Sequence, residues 1–196
     1  MKIFREVVIT IVIAVVVFAL LQLTVRAYTV KYSCMIPNIY EDWCIMVNKV
    51  CYQSSGPQRG QVIVFRPPPP NEDSPYPFIK RVIGLPGETV EIKDGKVFIN
   101  GTALDEDEYI KERPNYTVES TEIPENEYFV LGDNRNFSND SRFGWTVPRE
   151  NIIGKAWFVY WPPSKLRVIK HYSYPELNEA GEQGMLVSHS IEMQLE

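Results

Sequence analysis

From Val7 to Val25 the chain runs for about 19 residues without a single charge, and this run, VVITIVIAVVVFALLQLTV, constrains the fold more than any other feature. At ~1.5 Å rise per residue a helix of that length spans roughly 28 Å, close to the ~30 Å hydrocarbon core of a bilayer. Its many β-branched residues favour strand in water. In lipid, however, a lone strand leaves its backbone groups unpaired, whereas a helix pairs them internally. The rival is a cleaved secretory signal, with Met1 to Arg5 as the basic region and Val25-Arg26-Ala27 as the cut. Hydrophobic regions of such signals usually run only ~7 to 15 residues. Lys2 and Arg5 precede the run, and Arg26 and Lys31 come after it, so charge orients it weakly. The expectation is a single-pass protein of the cytoplasmic membrane. Residues 1–6 form a cytoplasmic tail, 7–25 a transmembrane helix, and everything from residue 26 lies outside the cytoplasm.

The remainder of the chain is of ordinary globular composition. In 196 residues, 44% hydrophobic and 23% charged leave enough apolar material for one domain with its own core. The formal charge of -5 supplies no basic field, which argues against nucleic acid as a partner. Both histidines, His171 and His189, lie near the polar C-terminus, so a histidine-based triad or metal site is not expected. The cysteines Cys34, Cys44 and Cys51 are too few for a disulfide scaffold or a paired zinc motif, and no metal or cofactor is expected.

Short alternating runs at Cys44 to Val50 and Gln61 to Phe65, separated by Ser54-Ser55-Gly56-Pro57, read as two strands. Pro67 to Pro75 cannot continue a ladder and read as a stiff exposed loop. Phe78 to Ile83 is a strand; Thr89 to Lys93 and Lys96 to Asn100 form a hairpin about Asp94-Gly95. Further strands are expected at Glu127 to Leu131 and Ile152 to Tyr160, which are rich in aromatic and β-branched residues. Helical periodicity is almost absent after residue 30. The expectation is a mostly β, antiparallel domain over 26–170 with chemistry on its loops, then a flexible polar tail over 171–196.

Three clusters could carry chemistry: Ser33 to Pro37 just past the apolar run, Ile79 to Gly87 after the proline loop, and Gly132 to Arg142. Singly, each reads as core cysteine, edge lysine or turn. Together they resemble the bacterial type I signal peptidases, membrane-anchored proteases with a Ser-Lys dyad, from the anchor to about Tyr160. Gly132-Asp133-Asn134-Arg135 through Arg142, with Gly144-Trp145, looks like the family's long Gly-Asp-Asn-Arg box. Lys80-Arg81 with Gly84-Leu85-Pro86-Gly87 matches its lysine box nearly residue for residue. The resemblance implies an antiparallel β protease domain with Lys80 as general base and Ser138 orienting its amine. It also implies Arg81 with Asp133 in a supporting salt bridge, and Asp140 with Arg142 in a second. Lys80 sets the chain apart from the endoplasmic-reticulum relatives, which carry histidine there.

The nucleophile box departs from the pattern. Where the family has Ser-Met-x-Pro-Thr, this chain has Cys34-Met35-Ile36-Pro37-Asn38. Aligning on Met35 and Pro37 puts Cys34 in the nucleophile position. Ser33 falls one residue early, on the opposite face of an extended segment. A thiol of pKa ~8.5 asks less of a base than a hydroxyl does, so with Cys34 in that position the expected intermediate is an acyl-enzyme thioester. The backbone N–H of Cys34 would serve the oxyanion, with Tyr32 at the position of the family's additional donor.

By the same resemblance, an extended substrate lies between a strand leading to the nucleophile, roughly Tyr28 to Ser33, and the strand carrying the lysine, roughly Pro77 to Lys80. Tyr32, Ser33, Met35, Pro77, Phe78 and Ile79 line its path, and small side chains three residues and one residue before the cut give an Ala-x-Ala preference. The implied partners are signal peptides of exported preproteins, the lipid bilayer and the export machinery. Two other readings stand beside this one: a silent peptide-binding module in the same fold, and a redox sensor built on Cys34. Met35, Ile36 and Trp43 are assigned to lipid or to core with equal weight, and Cys44 and Cys51 to a disulfide or to two thiols.

Overall fold

The structure is a computed structural model and describes residues 2–177. Helix α1 (Lys2–Thr24) is long and apolar enough to cross a membrane, and its flanks are exposed. It starts five residues earlier than the apolar run and stops one residue sooner. The stop has a clear cause: Val25 already pairs with Asn48, and Lys49 N–H donates to the Thr24 carbonyl at 2.9 Å.

Among the described residues, the chain after α1 forms twelve strands. They are β1 (Val25–Thr29), β2 (Cys44–Asn48), β3 (Val62–Phe65), β4 (Phe78–Gly84), β5 (Thr89–Lys93) and β6 (Lys96–Ile99). Then come β7 (Thr102–Ala103), β8 (Val118–Glu122), β9 (Glu127–Leu131), β10 (Val147–Pro148), β11 (Ile152–Trp161) and β12 (Arg167–Val168). The larger sheet runs β1-β2-β11-β3-β4-β9-β10, with β12 also on β11; the smaller runs β7-β6-β5-β8. Every pairing is antiparallel, so the mostly β, antiparallel reading holds. The hairpin at Asp94-Gly95 forms as expected, with both residues at positive φ, the geometry that this dipeptide tolerates.

The sheet brings distant segments together. The strands expected on either side of Ser54 to Pro57 are not neighbours, because β11 lies between them, pairing with β2 and with β3. Strands β7, β8, β10 and β12 were not expected. Three are only two residues long, and β8 reads as polar because it is an exposed edge strand. Strand β1 lies at Val25–Thr29, whereas a strand was expected over roughly Tyr28 to Ser33.

Side-chain alternation along β4 sorts its residues between cores. Phe78 and Val82 pack with Ile63, Phe65, Val130 and Trp145. Ile79 joins Met35, Ile39, Val47 and Val64, whereas Ile83 joins Leu131 and the smaller sheet. Met35 is fully buried and Trp43 packs against the same cluster, so the core holds for these two, while Ile36 is half-buried and outside that cluster. Cys44 and Cys51 are free thiols, and the optional disulfide is not formed. Past residue 170 the chain still packs on the domain. Tyr174 is buried in the core of the smaller sheet, and Tyr172 N–H reaches the Gly60 carbonyl. The part of the expected tail from residue 178 onward lies outside the described residues.

Gly154 marks a shift of register in β11, and a Cβ there would sit 2.2 Å from the Asn48 carbonyl oxygen. The obstacle is backbone and cannot swing away. Gly154→Ala should therefore destabilise the domain by about 2 kcal/mol, read from urea unfolding of the full chain in detergent.

Candidate active site

Lys80 lies in the middle of β4, opposite Ile63 on β3, and is only 2% exposed. Its amine donates to Cys34 Sγ at 3.0 Å and to the Ile79 carbonyl at 3.1 Å, and it lies 5.0 Å from the centre of the Phe78 ring. Cys34 occupies the 3-10 turn Ser33–Met35 and is 4% exposed; its thiol also reaches the Ile79 carbonyl at 3.5 Å. Two residues 46 positions apart thus form a buried thiol-amine contact. Ser33 is exposed, and it is the neighbouring Cys34 that meets the lysine.

The turn that carries Cys34 is clamped from two sides. Asn134 donates its backbone N–H to the Cys34 carbonyl at 2.9 Å and its side-chain amide to the Ser33 carbonyl at 3.1 Å. Four residues after Cys34, the Asn38 amide donates to Asp133 Oδ2 and to the Tyr109 carbonyl, both at 2.8 Å. A threonine hydroxyl has one hydrogen to donate where this amide has two. Asn38 therefore has a definite use at the position where the family's box has threonine, and the sequence alone gave no sign of it.

Asp133 is also held by Arg81, the residue after Lys80. Arg81 Nε and Nη2 donate to its two carboxylate oxygens at 2.8 and 2.7 Å, and both side chains are essentially inaccessible. The guanidinium stacks near Tyr109 and Tyr172, 4.6 and 4.9 Å from their ring centres, and Nη1 donates to the Gly60 carbonyl at 2.7 Å. Burial opposes its charge, but Asp133 more than offsets this, so the Arg81 pKa stands above its ordinary value.

The Gly132 to Arg142 loop supplies the rest. Asp140 takes two hydrogen bonds from the Arg142 guanidinium at 2.7 and 2.8 Å and one from Gly132 N–H at 3.0 Å. Gly132 leaves no room for a side chain: a Cβ would lie 2.3 Å from Ser138 Oγ and 2.5 Å from the Cys34 carbonyl oxygen. Ser138 reaches the site, but its expected hydrogen bond to Lys80 is not made. Its buried hydroxyl has no partner in the structure, because the lysine amine is turned towards Cys34 and Ile79 instead.

A second network went unread in the sequence. Arg135, fully buried, donates to Glu106 at 2.5 Å and to Tyr109 at 3.3 Å, and Tyr109 bonds Glu106 and Tyr174. Burial and Glu106 both push the Tyr109 hydroxyl well above its ordinary pKa, keeping it a donor. Nothing in the spacing links Glu106 to Arg135; only the folded chain does.

A cavity of about 600 Å³ opens over the thiol and the amine, lined by Tyr32, Ser33, Cys34, Phe78, Lys80 and Ser138 among others. Beside it, a smaller one of about 250 Å³ is lined by Tyr28, Val30, Tyr32, Pro77 and Ile79. Met35 lines neither; its side chain belongs to the core, which corrects its expected place along the substrate path.

Residues 3–161 match the family described as signal peptidase, peptidase S26. The chain is 44% identical over 136 residues to "Signal peptidase I" of Leptolyngbya laminosa, an alignment covering 67% of this chain and 66% of that protein. It is 35% identical over 160 residues to "Probable signal peptidase I-2" of Synechocystis sp., covering 81% and 73%. Over 179 residues it is 35% identical to "Signal peptidase IB" of Staphylococcus aureus, covering 83% and 90%.

This geometry has two measurable consequences. Gly132→Ala should lower stability by about 2 kcal/mol in urea melts and change the rate at which Cys34 is alkylated, mapped by peptide mass spectrometry. His171, whose Nδ1 is buried without a partner, has its pKa lowered to about 4 by burial and then by the charges of Lys155 and Arg81. The folded chain thus disfavours the protonated ring. Its contribution is present above ~6.5 and is lost as pH falls from there to about 4; discounted for partial exposure it is about 1 to 2 kcal/mol. Denaturant melts at pH 7 and pH 4.5 should show this loss, and His171→Gln should remove that share of it.

Proposed function

The chain belongs to the signal peptidase family, peptidase S26, and on that premise we propose that it is a membrane-anchored endopeptidase whose nucleophile is Cys34 and whose general base is Lys80. Its substrates are exported preproteins, cut after the small residue of an Ala-x-Ala site. α1 crosses the cytoplasmic membrane with its N-terminus inside, and the β domain works on the outer side, near the point where a signal peptide leaves the lipid and the export machinery.

The observation that carries this reading is the 3.0 Å contact between Cys34 Sγ and Lys80 Nζ, both almost inaccessible. At that distance a proton passes from thiol to amine without an intervening water. The thiolate attacks the scissile carbonyl, and the backbone N–H of Cys34 stabilises the oxyanion. The ammonium of Lys80 then protonates the departing amine, leaving a thioester on Cys34 and a neutral lysine able to activate water. Ser138, with its unpartnered hydroxyl on the same cavity wall, is the group available to steady Lys80 while it works.

Arg81, Asp133 and Asn38 act through the backbone by holding the two reacting segments in register. Asp140 and Arg142 do the same for the loop that carries Ser138. The extended substrate lies along Tyr32, Ser33, Pro77, Phe78 and Ile79, with its small side chains in the two adjoining cavities.

The test is cleavage of an Ala-x-Ala preprotein in detergent micelles, with the cut located by mass spectrometry. The expected outcome is cleavage by the parent, with loss of about a thousandfold or more in Cys34→Ala and Lys80→Ala. Cleavage by Cys34→Ser alone would overturn the thiol mechanism and favour a binding module. Persisting activity in Cys34→Ala would return the role to Ser33.

A further inference from the structure

We infer that the acyl group held on Cys34 is passed to amine acceptors as well as to water, so that the chain joins the released signal peptide to peptides bearing a free N-terminal amine. This rests on the reading of Cys34 as the nucleophile.

The first support is the chemistry of the bond that Cys34 would form. When an amine adds to an acyl-enzyme, the tetrahedral intermediate expels whichever of its two candidate groups leaves more easily. From a serine ester the alkoxide is the poorer leaving group, so the amine departs again and water finishes the reaction. From a thioester the thiolate, conjugate base of an acid of pKa ~8.5, leaves readily and the amide survives. Replacing oxygen by sulfur therefore shifts the partition towards amines without any change in the surrounding fold.

The cavity supplies the second support. Cys34 and Lys80 are 4% and 2% exposed, yet the space above them is about 600 Å³, room for an acceptor peptide as well as the small side chain of the acyl group. The proline loop forms part of its wall. There, Asn71 accepts a hydrogen bond from Asn139 at 2.8 Å, which leaves its own buried Nδ2 without an acceptor; Ser138 Oγ on the same wall is also unpartnered. Two unused donors suit the carbonyls of an extended peptide. Glu41 and Asp73 line the cavity, alongside Lys31, with no ion pair of their own among the described residues. They draw an N-terminal ammonium towards the site, and it meets the thioester after losing a proton to solvent, as the neutral amine.

The step balances within the site. The departing peptide takes a proton from Lys80 and leaves with its new amine. An incoming amine occupies the same place, gives its proton to Lys80 and forms a bond to the thioester carbonyl. The C–S bond breaks, its electron pair stays on sulfur, and Lys80 returns the proton to Cys34. No oxidant, metal or further reactant is required.

The test adds triglycine, at rising concentration, to the full chain cleaving an Ala-x-Ala preprotein in micelles, with mass spectrometry of the released signal peptide. The expected product is the signal peptide extended by triglycine, at a ratio to hydrolysed product about tenfold or more above that of Cys34→Ser. Cleavage without any extended product, or an equal ratio in both proteins, overturns the inference and leaves the peptidase reading intact. If the parent does not cleave at all, both fall together.

Discussion

The buried ion pair between Arg81 and Asp133 is the contact on which the rest of the site depends. Arg81 comes directly after Lys80 on a strand, so the two side chains leave opposite faces of the sheet. Fixing the guanidinium on one face fixes the lysine on the other. Asp133 in turn holds Asn38, four residues after Cys34, so one carboxylate sets the position of both Lys80 and the turn that carries Cys34. Such a pair is weak support for overall stability, because two charges have left water to form it. Its value lies in geometry: losing either partner strands a charge in the core, at a cost of about 3 to 5 kcal/mol, so displaced registers are strongly disfavoured.

Around this pair the domain joins two sheets. Arg81 lies between Ile79 and Ile83, whose side chains enter different hydrophobic clusters, one under the Cys34 turn and one shared with the smaller sheet. Tyr109 and Tyr172 cover the guanidinium, and Tyr109 links it to the second network of Arg135, Glu106 and Tyr174. The segment around Tyr172 and Tyr174, which reads as the start of a polar tail, is thereby part of the support for the site. The apolar clusters supply the driving force, and the two charged networks select one arrangement of the layers.

Much of the site was legible because its residues are close in sequence to distinctive neighbours. Lys80-Arg81 before Gly84-Leu85-Pro86-Gly87, and the run from Gly132 to Arg142, are long enough strings to align with a family. Within them the ion pairs Arg81 with Asp133 and Asp140 with Arg142 are found where the resemblance implied. Residues whose use depends on a distant partner were not legible. Asn38 read as a weakened match and turns out to bridge Asp133 and Tyr109; Glu106 carried no signal, since its partner lies 29 residues away. Ser138 came to the right wall, but its hydroxyl does not bond the lysine, a matter of side-chain rotation that no motif encodes.

The sequence by itself determined the apolar helix, the antiparallel β character and the identity of the chemical groups, because these depend on local composition and short periodic patterns. Hydrophobic runs and alternation act over a few residues, and a chain can be read for them without being folded. Tertiary structure alone decided that β11 enters between β2 and β3, that Met35 faces the core, and that Cys34 Sγ comes within 3.0 Å of Lys80 Nζ. Those outcomes come from packing between segments tens of residues apart. Burying two charged networks and three apolar clusters together admits one register of the strands, and that register puts the thiol beside the amine.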